Sequence, residues 1–101
     1  MNYSSQKFEL LPTDDFRKWF DSLRDRRAAA RIALRLLRVE SGLMGDVKFF
    51  DGLGELRIDY GPGYRVYFVQ RRQTIIILLC GGDKSTQSRD IARAKVIARE
   101  V

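Results

Sequence analysis

Residues 55–68, which read ELRIDYGPGYRVYF, predict two strands joined by a tight turn. Apolar side chains recur at alternate positions on both sides of the turn, as in strands with one buried face: Leu56, Ile58, Tyr60, Val66 and Phe68. The turn itself is Gly61-Pro62-Gly63. Alternation places Arg57 and Arg65 on the opposite face, with Tyr67 on the side of Arg65, so we expect the two arginines to lie close together.

The chain after this hairpin is predicted to form a central strand and a helix. Residues 74–80, TIIILLC, are apolar on both faces, which is typical of a strand covered from two sides. Residues 81–91, GGDKSTQSRDI, leave that strand, and a basic helix is expected from roughly residue 86 to residue 101. Its inner face carries regularly spaced apolar side chains: Ile91, Ala94, Ala98 and Val101.

The beginning of the chain is predicted to form a strand and two helices. The strand is expected at residues 7–10, closed by a proline. Thr13 or Asp14 can cap a helix whose aromatic and apolar residues have helical spacing: Phe16, Trp19, Phe20 and Leu23. Asp25 can start a second helix, ended by Gly42, with an apolar row of its own: Ala29, Ile32, Ala33, Leu36 and Leu37.

The segment between the helices and the hairpin is also extended. Residues 47–50 and 55–60 are expected to form one extended region, with Gly52 and Gly54 marking a bulge or turn between them. The predicted order is therefore β-α-α-β-β-β-α in a single domain, residues 1–101. We expect an α+β fold with a mainly antiparallel twisted sheet, a helical hairpin on one face and a C-terminal helix.

The charge of the chain predicts an anionic partner. Its 101 residues include 19 Lys and Arg against 13 Asp and Glu, a net charge of +6. Histidine is absent and Cys80, expected to be buried, is the single cysteine, so neither an internal disulfide nor a cysteine and histidine zinc site can form. No stretch resembles a signal peptide or is long enough to span a bilayer, which predicts a cytoplasmic protein without a membrane partner.

Lys84 stands where a predicted helix begins, near Ser85 or Thr86. The backbone dipole makes a cation unfavourable at that end, so a lysine there indicates that an anion binds beside it. Free amides of the first turn would add to such a site, and Gly81-Gly82 would let a phosphate approach the backbone. The alternative interpretation is structural: Gly81-Gly82-Asp83 ends the strand and Ser85 caps the helix.

Several motifs in register resemble the RelE/ParE superfamily of bacterial toxins. They follow a predicted aromatic helix and are GDVKFF at residues 45–50, ELRI at 55–58, GPGYRVYF at 61–68 and GGDKSTQSRDI at 81–91. The resemblance extends from about Phe16 to Lys95 and is nearest to the HigB-like addiction module killer proteins. It implies the toxin of a type II toxin–antitoxin module, held inactive by a cognate antitoxin that would be a small helix-turn-helix protein.

The resemblance also implies a ribosome-dependent endoribonuclease that cuts messenger RNA without a metal or other cofactor. In such a reaction the 2′-hydroxyl of one nucleotide attacks the adjacent phosphate, so the enzyme must neutralise negative charge and move two protons. The implied catalytic residues are Arg65, Arg57, Lys84 and Tyr67. Further contacts to RNA and phosphate are expected from Lys48, Gln87, Tyr60 and Tyr64.

The proton carriers stay open at this point. Relatives use a tyrosine or histidine near the C-terminus, and this chain has neither after Lys84. Asp83, Asp90, a tyrosine of the sheet or a lysine with a lowered pKa could each act as the general base.

Two alternative functions also stay open: a ParE-like inhibitor of DNA gyrase, and a degenerate toxin that acts only with its antitoxin in operator binding. At the level of single residues, Arg57 and Arg65 could instead be partners of Glu55 and Asp59 across an exposed sheet face. For the favoured function the expected partners are the antitoxin, the ribosome and messenger RNA, with DNA contacted only through the toxin–antitoxin complex.

Overall fold

The sheet of this protein has five strands, as seen in a computed structural model that describes residues 7–101. The elements in chain order are β1 (Glu9–Pro12), α1 (Asp14–Asp21), α2 (Arg26–Glu40), β2 (Val47–Phe50), β3 (Leu53–Ile58), β4 (Tyr64–Arg71), β5 (Ile75–Asp83) and α3 (Gln87–Glu100). A 3-10 turn at Lys84–Thr86 connects β5 to α3. The strands lie in the order β1-β5-β4-β3-β2; β1 pairs with β5 in parallel, and the other neighbours are antiparallel. The expected α+β class with a mainly antiparallel sheet is confirmed.

The predicted order lacks one strand, because β2 and β3 form a hairpin of two separate strands and not one interrupted region. Asp51 and Gly52 make the turn, with φ angles of 52° and 78°. Positive φ at both central residues is the mark of a type I′ turn, whose twist suits a two-residue hairpin. The observed order is therefore β-α-α-β-β-β-β-α.

The two parallel strands differ in extent from the prediction. β1 begins two residues later than expected and includes Pro12, which aligns with Leu78 of β5. A proline has no N–H to donate, but β1 is an edge strand and needs hydrogen bonds on one side alone. β5 continues beyond the expected end at Cys80 and takes in Gly81 and Gly82.

Helices cover both faces of the sheet. On the face of α1 and α2, the buried side chains of the first core are Phe16, Ile32, Val39, Leu56, Ile58, Val66, Phe68, Ile76 and Leu78. On the face of α3, the second core contains Leu53, Tyr67, Val69, Leu79, Cys80, Ala94 and Ile97. Since β5 contributes to both cores, the prediction of a central strand covered from two sides is confirmed.

Two of the predicted caps hold the helix starts. Thr13 Oγ1 accepts a hydrogen bond from the Phe16 N–H (3.1 Å) and donates one to the Leu79 carbonyl (2.8 Å), which ties α1 to β5. At the start of α2, Asp25 Oδ1 accepts from the N–H groups of the second and third helical residues. Each such cap contributes about 1 kcal/mol to helix stability.

Gly81 and Gly82 allow close packing on both faces of β5. A Cβ atom on Gly81 would overlap the ring of Trp19 from α1, and one on Gly82 would overlap the carboxylate of Asp90 from α3. The glycines therefore serve helix packing, and the expectation that they leave room for a phosphate is wrong.

Within residues 7–101, no helix is long and apolar enough to cross a bilayer. The prediction about a signal peptide concerns a stretch whose first residues, 1–6, lie outside the described part of the chain. Cys80 is buried as expected, and burial raises the pKa of its thiol to about 12.

Candidate functional site

A polar cleft lies where the β3–β4 turn meets the 3-10 turn that follows β5. Its volume is about 500 Å³, and its lining consists of Asp46, Arg57, Asp59, Gly61, Pro62, Gly63, Arg65 and Lys84. A backbone hydrogen bond of 2.9 Å from the Lys84 N–H to the Gly63 carbonyl joins the two turns. The structure therefore brings three cations to one cleft: Arg57 and Arg65 of the β3–β4 hairpin, and Lys84 from the far side of β5 in the sequence.

Arg57 and Arg65 are direct cross-strand neighbours in the register of β3 and β4. Like charges in this position repel each other and destabilise a sheet unless something offsets them. Asp46 offsets one of them, since its Oδ1 lies 2.8 Å from Nη2 and 3.1 Å from Nε of Arg57. The alternative interpretation of the two arginines was that they pair with Glu55 and Asp59. Within the described residues, neither carboxylate forms an ion pair with either arginine.

Arg65 is half-buried and only partly satisfied. Its Nη1 donates to the carbonyls of Gly63 and Tyr64, each at 3.1 Å. Its Nε is buried and has no hydrogen-bond acceptor among the residues that the structure describes. Leaving such a buried donor without a partner costs about 1–3 kcal/mol.

Lys84 is exposed at the start of the 3-10 turn, and no carboxylate of residues 7–101 lies within 4.0 Å of its ammonium group. The amides of this turn are not free, however. Asp83 is the capping residue, and its Oδ1 accepts from the Ser85 N–H (2.8 Å) and from the Ser85 hydroxyl. The hydroxyl of Ser85 is the main reason why the pKa of Asp83 is lowered. The prediction of a phosphate site at the amides of this turn is therefore wrong, and so is the prediction that Ser85 caps the helix. Asp83 accepts the hydrogen bonds of this turn instead.

A buried polar group lies between the cleft and α3. Glu55 is 1% exposed, and its Oε2 accepts a hydrogen bond of 2.7 Å from Gln87 Nε2. Tyr67 stands opposite Glu55 on β4 and is fully buried. Burial is the main cause that raises the pKa of the Tyr67 hydroxyl, and the neighbouring Glu55 carboxylate is the next. Within the described residues, no acceptor meets the geometry of a hydrogen bond with this hydroxyl.

The structure does not bring Tyr67, Tyr60 or Tyr64 into the cleft. Tyr67 lies beneath α3 in the second core. Tyr60 and Tyr64 pack against the first core on the opposite face, where the Arg31 guanidinium is 4.6 Å from the Tyr60 ring centroid. Trp19 makes an edge contact with Tyr64, with ring centroids 6.4 Å apart.

The two remaining predicted contacts, Lys48 and Gln87, are not among the residues that line the cleft. Lys48 is exposed on β2, in register with Glu55, and its ammonium group is 5.7 Å from the centroid of the Phe50 ring. Gln87 is half-buried, and its side-chain amide is engaged by Glu55. The role of Lys48 in binding RNA stays a prediction.

Sequence reasoning missed two residues that shape the cleft, Asp46 and Arg35. The half-buried Arg35 of α2 donates to the carbonyls of Met44, Asp46 and Arg57, so it fixes the loop that presents the Asp46 carboxylate. Burial lowers the pKa of Arg35. Asp46 lies in the GDVKFF motif, which was a usable signal, whereas Arg35 belongs to a run of arginines whose pattern indicates only a solvated face.

The comparisons with known proteins show the family of this chain. Residues 15–100 match the family of phage-derived Gp49-like proteins. The chain is also 47% identical over 94 residues to an uncharacterized protein of Haemophilus influenzae, and the alignment covers 92% of this chain and 95% of the relative.

The family match places the chain in a class, the RelE-like proteins associated with toxin–antitoxin systems. Within that class, the chain belongs to the phage-derived Gp49-like family. The finer assignment to a HigB-like branch stays a prediction.

Proposed function

We propose that this protein is the toxin of a toxin–antitoxin pair and that it cleaves messenger RNA at the ribosome. The observation that carries the proposal is the polar cleft whose lining brings together Arg57, Arg65 and Lys84. Cations held in advance around one point stabilise the charge that develops on a phosphate during cleavage. Membership in the Gp49-like family supports the toxin–antitoxin part of the proposal.

Arg65 is the residue that binds the scissile phosphate. Its guanidinium is oriented before the substrate arrives, because two carbonyls hold Nη1. The planar fork can then donate to phosphate oxygens from its remaining N–H groups. Lys84 adds a mobile positive charge, and Arg57 adds a second fork once Asp46 releases it.

Asp59 is the carboxylate available to take the proton of the attacking 2′-hydroxyl. It lines the cleft, and within residues 7–101 no cation lies within 4.0 Å of its carboxylate. The two carboxylates that the sequence offered as general base have other partners, since Asp83 accepts a hydrogen bond from Ser85 and Asp90 accepts one from the Thr86 hydroxyl. Proton transfer to Asp59 requires no metal ion.

Induction of the protein in bacteria without an antitoxin tests the proposal. We expect growth arrest, new 5′ ends in messenger RNA and unchanged plasmid supercoiling. With purified components, cleavage should require ribosomes. Early loss of supercoiling with intact messengers would instead indicate a gyrase inhibitor, and harmless expression of the folded protein would indicate a degenerate toxin.

A set of variants assigns the activity to the cleft. Arg65→Ala should abolish cleavage, at a stability cost of about 1 kcal/mol for its backbone hydrogen bonds. Arg65→Lys should retain only part of the activity, because an ammonium group cannot replace the planar fork. Arg72→Ala, at an exposed turn, is the matched control and should remain toxic. Tyr67→Phe should also remain toxic, since its hydroxyl does not reach the cleft. Full toxicity of a folded Arg65→Ala protein would exclude the proposed site.

A further inference from the structure

We propose that Arg35 of α2 is a positioning residue for the cleft, because its guanidinium holds the stretch of backbone that presents Arg57. For its catalytic consequence this role rests on the proposed cleavage of RNA, and it adds to that reaction a residue outside the cleft. Four hydrogen bonds from one guanidinium carry the inference, together with a glycine that leaves room for them.

The pairing of β2 with β3 stops just before Arg57. At this end the last pair is Val47 with Leu56, since β2 begins at Val47. One more backbone bond, of 3.0 Å, runs from the Arg57 N–H to the carbonyl of Asp46 in the preceding loop. In a regular antiparallel pair the two residues would exchange a second bond, from the Asp46 N–H to the Arg57 carbonyl. Within the described residues, that carbonyl accepts from Arg35 instead.

Arg35 supplies the donors that a longer β2 would supply. Its Nη1 donates to the Arg57 carbonyl at 2.6 Å. Its Nη2 donates to the carbonyl of Asp46 and, at 3.0 Å, to that of Met44, which also accepts from Nε at 3.1 Å. One guanidinium thus joins the loop before β2 to the end of β3. This needs several N–H groups in one rigid plane, which arginine has and lysine lacks.

Gly45 leaves the space that this arrangement needs. A Cβ atom at this position would lie 2.8 Å from Nε of Arg35, so a side chain there would push the guanidinium away from the carbonyls. Arg35 is half-buried, and no carboxylate of residues 7–101 lies within 4.0 Å of its guanidinium. Backbone carbonyls are therefore its polar partners, and its place depends on the loop and β3 together.

Both ends of the Asp46–Arg57 ion pair depend on this guanidinium. Arg35 bonds the carbonyl of each of the two residues, whose side chains meet at 2.8 Å. Arg35 itself does not line the cleft, so it acts through Arg57 and does not touch the substrate. A cation held in advance stabilises developing charge best, so loosening Arg57 should lower kcat and leave KM nearly unchanged.

Amide hydrogen exchange tests the hold on Arg57 without any RNA. The quantity is the exchange rate of the Arg57 amide divided by that of Val66, whose strand pairs on both sides. Arg35→Lys and Gly45→Ala should each raise this ratio at least about tenfold, because both loosen the loop locally.

Gly52→Ala is the matched control for Gly45→Ala. The two glycines have similar φ angles, 78° and 70°, but a Cβ atom on Gly52 would meet nothing within 4 Å. Its exchange ratio should equal that of the wild type. An unchanged ratio in Arg35→Lys would overturn the inference, and a change in Gly45→Ala alone would trace to strain in the loop and would overturn it too.

Steady-state cleavage of messenger RNA on ribosomes tests the catalytic consequence. Arg35→Lys should lower kcat about ten- to a hundredfold, as expected when a reacting group is slightly misplaced. Arg38→Lys is the control on the same helix, since Arg38 is exposed and outside the cleft, and it should keep the wild-type kcat. A wild-type kcat in a folded Arg35→Lys protein would overturn the inference.

A double-mutant cycle shows whether Arg35 acts through Arg57. In an Arg57→Gln background, Arg35→Lys should lower kcat by no more than about twofold. An equal loss in both backgrounds would mean that Arg35 acts by another route and would also overturn the inference. A wild-type protein that cleaves no RNA would contradict the proposed function, and the exchange ratios would still decide whether Arg35 holds Arg57.

Discussion

Arg57 and Arg65 stand side by side on β3 and β4, although two guanidinium groups in that position repel each other. Asp46 binds Arg57, and Arg65 keeps a buried Nε without an acceptor among the described residues. At the residue scale, the alternation in residues 55–68 correctly predicted the proximity of the two arginines. It could not identify Asp46 as the partner, because that contact depends on the β2–β3 register and on the loop held by Arg35.

Removal of the Asp46 charge should strengthen RNA binding. In Asp46→Asn, Arg57 loses its carboxylate partner, so its fork is free for phosphate and the cleft is less negative. The affinity for a short RNA should rise several-fold, while the free energy of unfolding should change by less than about 1 kcal/mol, as for other exposed ion pairs. Filter binding and urea denaturation measure the two quantities.

Asp51→Asn is the matched control for this prediction. Asp51 also forms an exposed ion pair at 2.8 Å, with Lys95, but it lies outside the cleft. We expect its RNA affinity to equal that of the wild type. An equal gain in both variants would mean that the effect comes from net charge and not from Arg57.

At the scale of elements, the decisive segment is the passage from β5 into α3. The sequence predicted both elements, since the apolar run and the later helical spacing are local properties. It misplaced the details: β5 continues to Asp83, and Asp83 caps a 3-10 turn before α3 begins. The strand has glycine at positions 81 and 82 because the helices on both faces of the sheet pack too closely there to leave room for a side chain.

The Asp83 cap predicts a pH-dependent stability. Since hydrogen bonds from Ser85 lower the pKa of Asp83 in the folded state, the ionised cap stabilises the fold above the unfolded pKa, about 3.9. This contribution is lost as the pH falls through the folded pKa. Asp83→Asn should therefore be less stable than the wild type at pH 7, and the difference should shrink as the pH is lowered from about 4.

Urea denaturation at several pH values measures this difference, and Ser85→Ala supplies the control. The Ser85 hydroxyl is the largest cause of the lowered pKa, so the effect of Asp83→Asn should be smaller in a Ser85→Ala background. A difference between wild type and Asp83→Asn that stays constant from pH 7 to pH 2 would contradict the prediction.

At the scale of the whole molecule, the net charge of +6 is distributed over both faces of the sheet. On one face, Arg57, Arg65 and Lys84 line the cleft; on the other, α2 carries five arginines. A small domain with this distribution presents positive charge on both sides of the sheet and can attract an anionic partner to either side.

The salt dependence of RNA binding should report the phosphate contacts in the cleft. For single strands, the logarithm of the affinity falls with the logarithm of salt concentration by about 0.7 per neutralised phosphate. Lys84→Gln should reduce this slope by about 0.7. Arg72→Gln should leave the slope unchanged, since Arg72 follows the far end of β4, about 23 Å along the strand from Arg65. Equal slopes for Lys84→Gln and the wild type would show that Lys84 does not contact phosphate.

Local patterns in the chain were enough to predict the three helices, the caps of α1 and α2, the strand faces and the neighbouring positions of Arg57 and Arg65. These features depend on residues that are close in the chain or joined by one tight turn. Only the tertiary structure decided that Tyr67 is buried beneath α3, that Asp46 pairs with Arg57 and that Lys84 joins the arginines at one cleft. Each of these depends on how distant strands pair and where a helix packs, and the free energy of that packing is a property of the whole fold.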